Sequence, residues 1–179
     1  IPKTCVTSNL IIIKKFIEIN KRVVIKPLFE KGGDGIFLLQ ENDPNILSII
    51  SSATKDFSEQ IILQEYLENV AKGDKRVILI DGDPVGSVNR VPSENNFKAN
   101  LHLGGTPKKT TLTKKEFEIC KLIKPILKKN GLFFVGIDII DEKLTEINVT
   151  SPTGISQINE LENIKLESIF WDKVEKRFN

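Results

Sequence analysis

Asp138, Glu146 and Asn148 offer the carboxylate and carbonyl oxygens that hard divalent cations take. They lie on two apolar, strand-like runs, Val135–Ile140 and Leu144–Val149, separated by Asp141-Glu142-Lys143. If those three residues form the loop of a hairpin, Asp138 stands opposite Glu146 and Gly136 opposite Asn148, with the three oxygen-bearing side chains on one face. Like charges directly opposite in a sheet repel, so the arrangement calls for a cation between them. Mg²⁺ is the natural choice, because it is usually held by one or two carboxylates plus phosphate oxygens. Gly136 would leave room for the nucleotide. Val135, Ile137, Ile139, Ile147 and Val149 alternate onto the other face and are expected in a core. With a two- or four-residue loop, Asp138 and Glu146 fall on opposite faces and the hairpin is only a solvated ribbon. Spacing alone leaves both arrangements open.

A second candidate lies near the start. Val23-Val24-Ile25-Lys26-Pro27 reads as a strand ending in a lysine, followed by Lys31-Gly32-Gly33-Asp34-Gly35 and a second strand, Ile36–Leu39. Glycines let main-chain N–H groups approach a ligand, and Lys26 supplies a point charge for phosphate. The loop joins two strands and matches neither GxxxxGK[ST] nor GxGxxG, so it is no P-loop or Rossmann turn. A plain hairpin turn accounts for the same residues. Ile61–Leu67 reads as a buried strand running into a polar stretch, Glu68–Asp74, of the kind that connects lobes and on which a base could dock through main-chain groups. The chain has only four arginines, Arg22, Arg76, Arg90 and Arg177. Arg76 and Arg90 fall on adjoining strands, Lys75–Ile80 and Val85–Val91, where their planar forks suit carboxylate or phosphate, although ordinary surface arginines fit as well.

The positioning elements follow from periodicity. Thr7 or Ser8 caps a helix carrying Leu10, Ile13, Phe16 and Ile17 and ending near Asn20. Asp43-Pro44 opens a helix through Ile46, Leu47, Ile49 and Ile50. Thr113-Lys114-Lys115-Glu116 is a capping box, opening a helix with Ile119, Leu122, Ile123, Ile126 and Leu127 inward, kinked at Pro125 and closed by Asn130-Gly131. Pro92–Thr111, polar and containing Gly104-Gly105, suits a mobile loop. A last helix surrounds Ile169, Phe170, Trp171 and Val174, with Trp171 in the core. His102, the sole histidine, is too isolated for a triad or a zinc site.

At 179 residues and 40% hydrophobic, the chain can bury a core as one domain or two small lobes. A net charge of +2, with basic and acidic residues interspersed, advertises neither nucleic acid nor membrane binding. No apolar run reaches the roughly 18 residues of a membrane span, and no signal peptide opens the chain. Cys5 and Cys120 lie in no CxxC or Cys/His pattern, so a reducing cytoplasm is expected. With no methionine and Ile at position 1, the sequence is read as part of a longer chain.

Taken together, VIKPL at Val24–Leu28 with the following glycines, QEYL at Gln64–Leu67, GDKRV at Gly73–Val77 and VGIDII…LTEINVTSPTGI from Val135 to Ile155 resemble the prokaryotic glutathione synthetase family of ATP-grasp enzymes, nearly end to end. The resemblance implies an α+β ATP-grasp fold: a small lobe over residues 1–67 and a large lobe over 68–179, whose antiparallel sheets clasp ATP. It implies ATP contacts at Lys26, Gly32, Gly33, Gln64, Glu65, Tyr66, Leu67 and Asp74. Asp138, Glu146 and Asn148 would hold two Mg²⁺ ions, with Mn²⁺ as a substitute. Arg76 and Arg90 would be catalytic and, with Asn148, Ser151, Pro152 and Thr153, would contact substrate.

The implied reaction joins glycine to γ-glutamylcysteine through an acyl phosphate, catalysed by positioning and charge and needing no protein nucleophile. Other ligases of the fold share these residues, and a non-catalytic ATP-binding module remains an alternative. Lys98 stands where the family often has arginine. The family's N-terminal domain and an upstream phosphate-binding lysine lie outside the sequence, so this portion alone is expected to bind ATP weakly and turn over poorly. A homo-oligomer is expected of the full-length protein.

Overall fold

The computed structural model describes residues 1–29, 34–93 and 105–178. Gly32, Gly33, Lys98, His102 and Gly104 lie outside the described residues. The chain divides into two compact units, Ile1–Glu68 and Asn69–Asn179.

The first unit is built from β1 (Thr4–Thr7), α1 (Leu10–Asn20), β2 (Arg22–Pro27), β3 (Phe37–Gln40), α2 (Ile46–Ala53) and β4 (Ile61–Glu65). Its four strands form an antiparallel sheet in the order β1-β4-β2-β3. Val23, Ile25, Leu39, Ile61 and Leu63 point to one face, where Ile13, Ile17 and Ile50 of the helices bury them. Asn9, rather than Thr7 or Ser8, caps α1, its Oδ1 accepting from the N–H groups of Ile11 and Ile12. Thr7 is the last residue of β1, and its hydroxyl instead accepts the Asn9 N–H. Asp43 likewise does not cap α2: its carboxylate accepts the Asn45 N–H within a turn, and the helix starts at Ile46.

The second unit comprises a 3₁₀ turn (Glu68–Lys72) that crosses the boundary, β5 (Asp74–Ile80), β6 (Asp83–Val91), β7 (Thr106–Lys109), α3 (Lys114–Lys129), β8 (Phe134–Ile140), β9 (Lys143–Asn148), α4 (Ile155–Glu162) and α5 (Leu166–Phe178). The five strands form an antiparallel sheet, β7-β6-β5-β8-β9. β7 falls inside the stretch expected to be loop, and pairs Thr106 through Lys109 with Val91 back to Val88.

Alternation divides β5 between two cores. Val77 and Leu79 meet Val135, Ile137 and Ile139 of β8 under α3, while Ile78 and Ile80 join Val88, Ile158 and Leu166 under α4 and α5. At the β5–β6 turn, Asp81 accepts from Lys128 and Arg177, and Asp83 from Lys124 and Lys173. One turn therefore takes cations from both α3 and α5.

The capping box of α3 forms in full, and its C-terminus closes through Gly131 at φ 67°, with Leu132 N–H on Leu127 O and Gly131 N–H on Lys128 O. The helix continues across Pro125. Its buried face is Cys120, Ile123 and Leu127, whereas Leu122 and Ile126 point to solvent. Ile147 and Val149 are also exposed: β9 is an edge strand, and of its residues only Leu144, at the near end, joins the core under α3. Trp171 is 59% exposed; its neighbour Phe170 takes the interior place, edge-on to Phe133 and Phe134.

Candidate functional site

The β8–β9 hairpin turns on two residues, Asp141 and Glu142, both at positive φ, so that Ile140 pairs with Lys143 and Ile139 with Leu144. Such a turn alone would put Asp138 opposite Thr145 and send Glu146 to the far face. A bulge at Thr145 inserts one extra residue, and Asp138 then stands opposite Glu146, Ile137 opposite Ile147 and Gly136 opposite Asn148. The Thr145 hydroxyl donates to the Asp138 main-chain oxygen at 3.1 Å. The register expected from a three-residue loop is reached by a shorter loop plus a bulge.

Asp138 also stands opposite Arg76 on β5, and Asp74 stands opposite Arg90 on β6. All four side chains share the sheet face that carries Ile78 and Ile80. All four are buried: Asp74 is 8% exposed, Arg76 6%, Arg90 3% and Asp138 3%. Arg76 grips Asp138 with both edges of its fork, Nε to Oδ1 at 2.5 Å and Nη2 to Oδ2 at 3.0 Å. Its remaining nitrogen donates to the Thr153 carbonyl at 3.1 Å. Arg90 bridges the two acids, 2.5 Å from Asp74 Oδ2 and 3.0 Å from Asp138 Oδ2. Asn148 Nδ2 reaches Asp138 Oδ2 at 3.5 Å.

The two carboxylates are driven apart electrostatically. Burial, reinforced by the charge of Asp138, pushes the Asp74 carboxyl up to about 7 despite Arg90 beside it. Burial acts on Asp138 in the same direction, but there the charges and hydrogen bonds of Arg90 and Arg76 win and hold it below the usual carboxylate range. Asp74 Oδ1 is buried and finds no hydrogen-bond partner among the described residues.

The space beside Gly136 is filled by protein. A Cβ there would come within 2.6 Å of Pro152 Cβ and 3.2 Å of Arg76 Cδ, so the glycine admits the Thr150–Gly154 turn rather than a nucleotide. Pro152 is buried, and Ser151 and Thr153 are exposed. Gly154, at φ 109°, then opens α4.

Among the described residues no three His, Cys, Asp or Glu side chains converge on a metal position. The oxygens at hand are those of Asp138, already shared with two guanidiniums, exposed Glu146 and half-buried Asn148. That set fits a hard cation completing its shell with water and phosphate, and suits a thiolate- or imidazole-seeking metal poorly.

In the first unit, Lys26 on β2 donates to Gln64 Oε1 on β4 at 2.7 Å. Next along the chain, the Glu65 N–H donates to Lys3 O and the Tyr66 N–H to Arg22 O, so these two donors serve the fold. The Arg22 guanidinium lies 4.1 Å from the Tyr66 ring centroid and pairs with Glu68. Leu67 is 9% exposed.

The sequence points to Arg76, Arg90 and Asp74 as site residues but not to their pairing, in which Arg76 and Arg90 hold Asp138 and Arg90 also holds Asp74. The signal was there in Asp74-x-Arg76, an acid and a base on one strand face, flanked by Arg90 and Asp138 on strands that sheet order makes neighbours.

A family model described as "Prokaryotic glutathione synthetase, ATP-grasp domain" matches residues 1–163. The chain is 45% identical over 176 residues to the glutathione synthetase of Agrobacterium fabrum, covering 98% of this chain and 55% of that protein. It is 45% identical over 179 residues to that of Synechocystis sp., covering 99% and 55%. It thus spans about half the length of these curated relatives. Among solved structures, the ATP-grasp ligase PsnB complexed with a phosphomimetic variant of its minimal precursor, Mg and ADP superposes with a TM-score of 0.69 at 14% identity, over 100% of this chain and 54% of that one. D-alanine–D-alanine ligase from Bacillus anthracis gives 0.66 at 13% identity, over 99% and 64%. Similarity at that level concerns the fold: two antiparallel sheets with helices, in the ATP-grasp arrangement.

Proposed function

This chain belongs to the prokaryotic glutathione synthetase family, as its ATP-grasp domain, and we propose on that premise that it serves the ATP-dependent joining of glycine to γ-glutamylcysteine. The observation that carries the reading is Asp138 facing Glu146, with Asn148 one pair further along, beside two buried arginines, in a chain 45% identical to glutathione synthetases.

Glu146, Asn148 and Asp138 are the residues that would hold Mg²⁺, one ion or two, and when bound the metal supplies charge against the triphosphate. The protein's own part is positional. Arg76 and Arg90 set the plane of the Asp138 carboxylate, and Arg76 ties the Thr150–Gly154 turn to the same strand through Thr153 O. We assign that turn, with Ser151, Pro152 and Thr153, and Asn148 to substrate. Arg76 and Arg90 stabilise charge that develops as the cysteinyl carboxyl is phosphorylated and the glycine amine displaces phosphate. Lys26 contacts phosphate, the main chain of Gln64–Leu67 surrounds the base, and Asp74 is assigned to the nucleotide side of the site. Both cysteines are free, in keeping with a cytoplasmic setting.

The test is phosphate release from ATP and Mg²⁺ with γ-glutamylcysteine and glycine, each omitted in turn, for this chain and for a form extended at its N-terminus. Release in the extended form that requires both substrates supports the reading. ATP binding with release indifferent to both substrates would replace it with another ligase specificity or with a nucleotide-binding module.

A further inference from the structure

The face of the four-stranded sheet opposite its helix-covered core carries a chain of hydrogen bonds between side chains that the proposed ligation does not itself require. Lys26 Nζ donates to Gln64 Oε1 at 2.7 Å, Gln64 Nε2 donates to Thr4 Oγ1 at 3.3 Å, and Thr4 Oγ1 donates to the Pro2 carbonyl at 2.9 Å. Sheet register builds it: Thr4, Gln64 and Val24 stand in one cross-strand row, and Lys26 follows Val24 on the same face, diagonal to Gln64.

The polarity of this chain admits one solution. A carbonyl only accepts, so the single Thr4 hydroxyl proton goes to Pro2 and the hydroxyl oxygen must accept from Gln64. The donor end of the amide is thereby spent on Thr4 and its acceptor end faces Lys26, whose ammonium only donates. Gln64 is 9% exposed, so an amide end deprived of its partner would not find water readily.

We infer that Gln64 is a positioning residue for Lys26 and that Thr4 sets the orientation of its amide. The inference rests on the reading of Lys26 as a phosphate contact. A lysine stem is long and flexible, and an ammonium held over the sheet before ATP arrives loses less freedom on binding. As a neutral acceptor, Gln64 orients the ammonium without cancelling its charge, which a carboxylate at the same place would do.

A double-mutant cycle on ATP affinity, measured calorimetrically with Mg²⁺ present, separates this role from direct contact with nucleotide. Gln64→Leu is expected to weaken ATP binding about tenfold when Lys26 is present and less than about twofold in a Lys26→Met background. The same loss in both backgrounds would overturn the inference, since Gln64 would then touch the nucleotide itself. A second measurement needs no nucleotide: the rate at which trace acetic anhydride acetylates Lys26, read by peptide mass spectrometry. Gln64→Leu and Thr4→Val should each raise it several-fold, and Gln64→Glu, which keeps an acceptor, should restore protection. An unchanged rate in both Gln64→Leu and Thr4→Val also overturns the inference. With the form extended at its N-terminus as parent, equal ATP affinity of the parent and Lys26→Met would remove the phosphate reading of Lys26, and the acetylation rates still decide whether Gln64 anchors it.

Discussion

Along β5 the residues Ile80, Ile78, Arg76 and Asp74 stand on one face of the five-stranded sheet, and between the second and third the interior changes from hydrocarbon to ions. At one end Ile78 and Ile80 pack with Val88, Ile158 and Leu166; at the other Arg76 and Asp74 pack with Arg90 and Asp138. Both ends are buried, but they are stabilised differently. The apolar end gains in proportion to area and tolerates swaps that conserve volume. The ionic end has already lost its hydration, and it repays that loss only while every partner is in place. Well-packed hydrophobic residues could fill the same volume at equal or greater stability, so stability alone does not explain the ions. They lie at the end of the face next to Glu146 and Asn148, where the proposed site is built.

The contrast makes graded predictions. Arg90→Met leaves two buried carboxylates with one guanidinium between them and should cost about 3–5 kcal/mol in urea unfolding. Ile78→Ala, at the apolar end of the same face, should cost about 2–4 kcal/mol. A smaller loss for Arg90→Met than for Ile78→Ala would remove the distinction between the two ends.

Asp74→Asn tests the electrostatics inside the ionic end. The native Asp74 keeps its proton to about pH 7, whereas in the unfolded chain it ionises near the ordinary 3.8. The native state therefore binds more protons between those values, and the contribution of Asp74 to stability falls as pH rises through that window, by no more than about 1.4 kcal/mol per pH unit. Unfolding of the parent chain compared with Asp74→Asn should show this slope between about pH 4 and 7 and none outside it; a rise with pH would mean that Asp74 behaves like Asp138. The smallest stability effect belongs to exposed Glu146. Glu146→Gln should leave unfolding within about 0.5 kcal/mol of the parent while weakening Mg²⁺-dependent ATP binding. Unchanged ATP affinity would count against its place at the metal.

Local signals that carry their own geometry were legible in the sequence. The Thr113–Glu116 capping box, the Asn130-Gly131 stop and the strands around Lys26 and Asp138 stand where residue types put them. Asp138 opposite Glu146 was legible too, although by the wrong route, since a bulge is one extra residue in a ladder and leaves no mark in alternation. What sequence could not show depends on partners far along the chain. Ile147 and Val149 read as core but lie on an edge strand and just past its end, and Trp171 reads as core although Phe170 takes the place. β1, four residues long, is a strand only because β4 pairs with it. Arg76 and Arg90 read as free to meet a ligand, yet their guanidiniums already hold Asp74, Asp138 and the Thr153 carbonyl.

Asp74 and Arg76 come from β5, Arg90 from β6 and Asp138 from β8, so the four groups meet their partners only once three strands are in register. Any partial assembly strips water from a charge without supplying its full set of partners, so these contacts should form after the rate-limiting step of folding. The network then governs how long the folded sheet lasts more than how fast it arises. In a chevron analysis, the loss in Arg90→Met should fall mainly on the unfolding limb, as a shorter native lifetime with a refolding rate close to that of the parent.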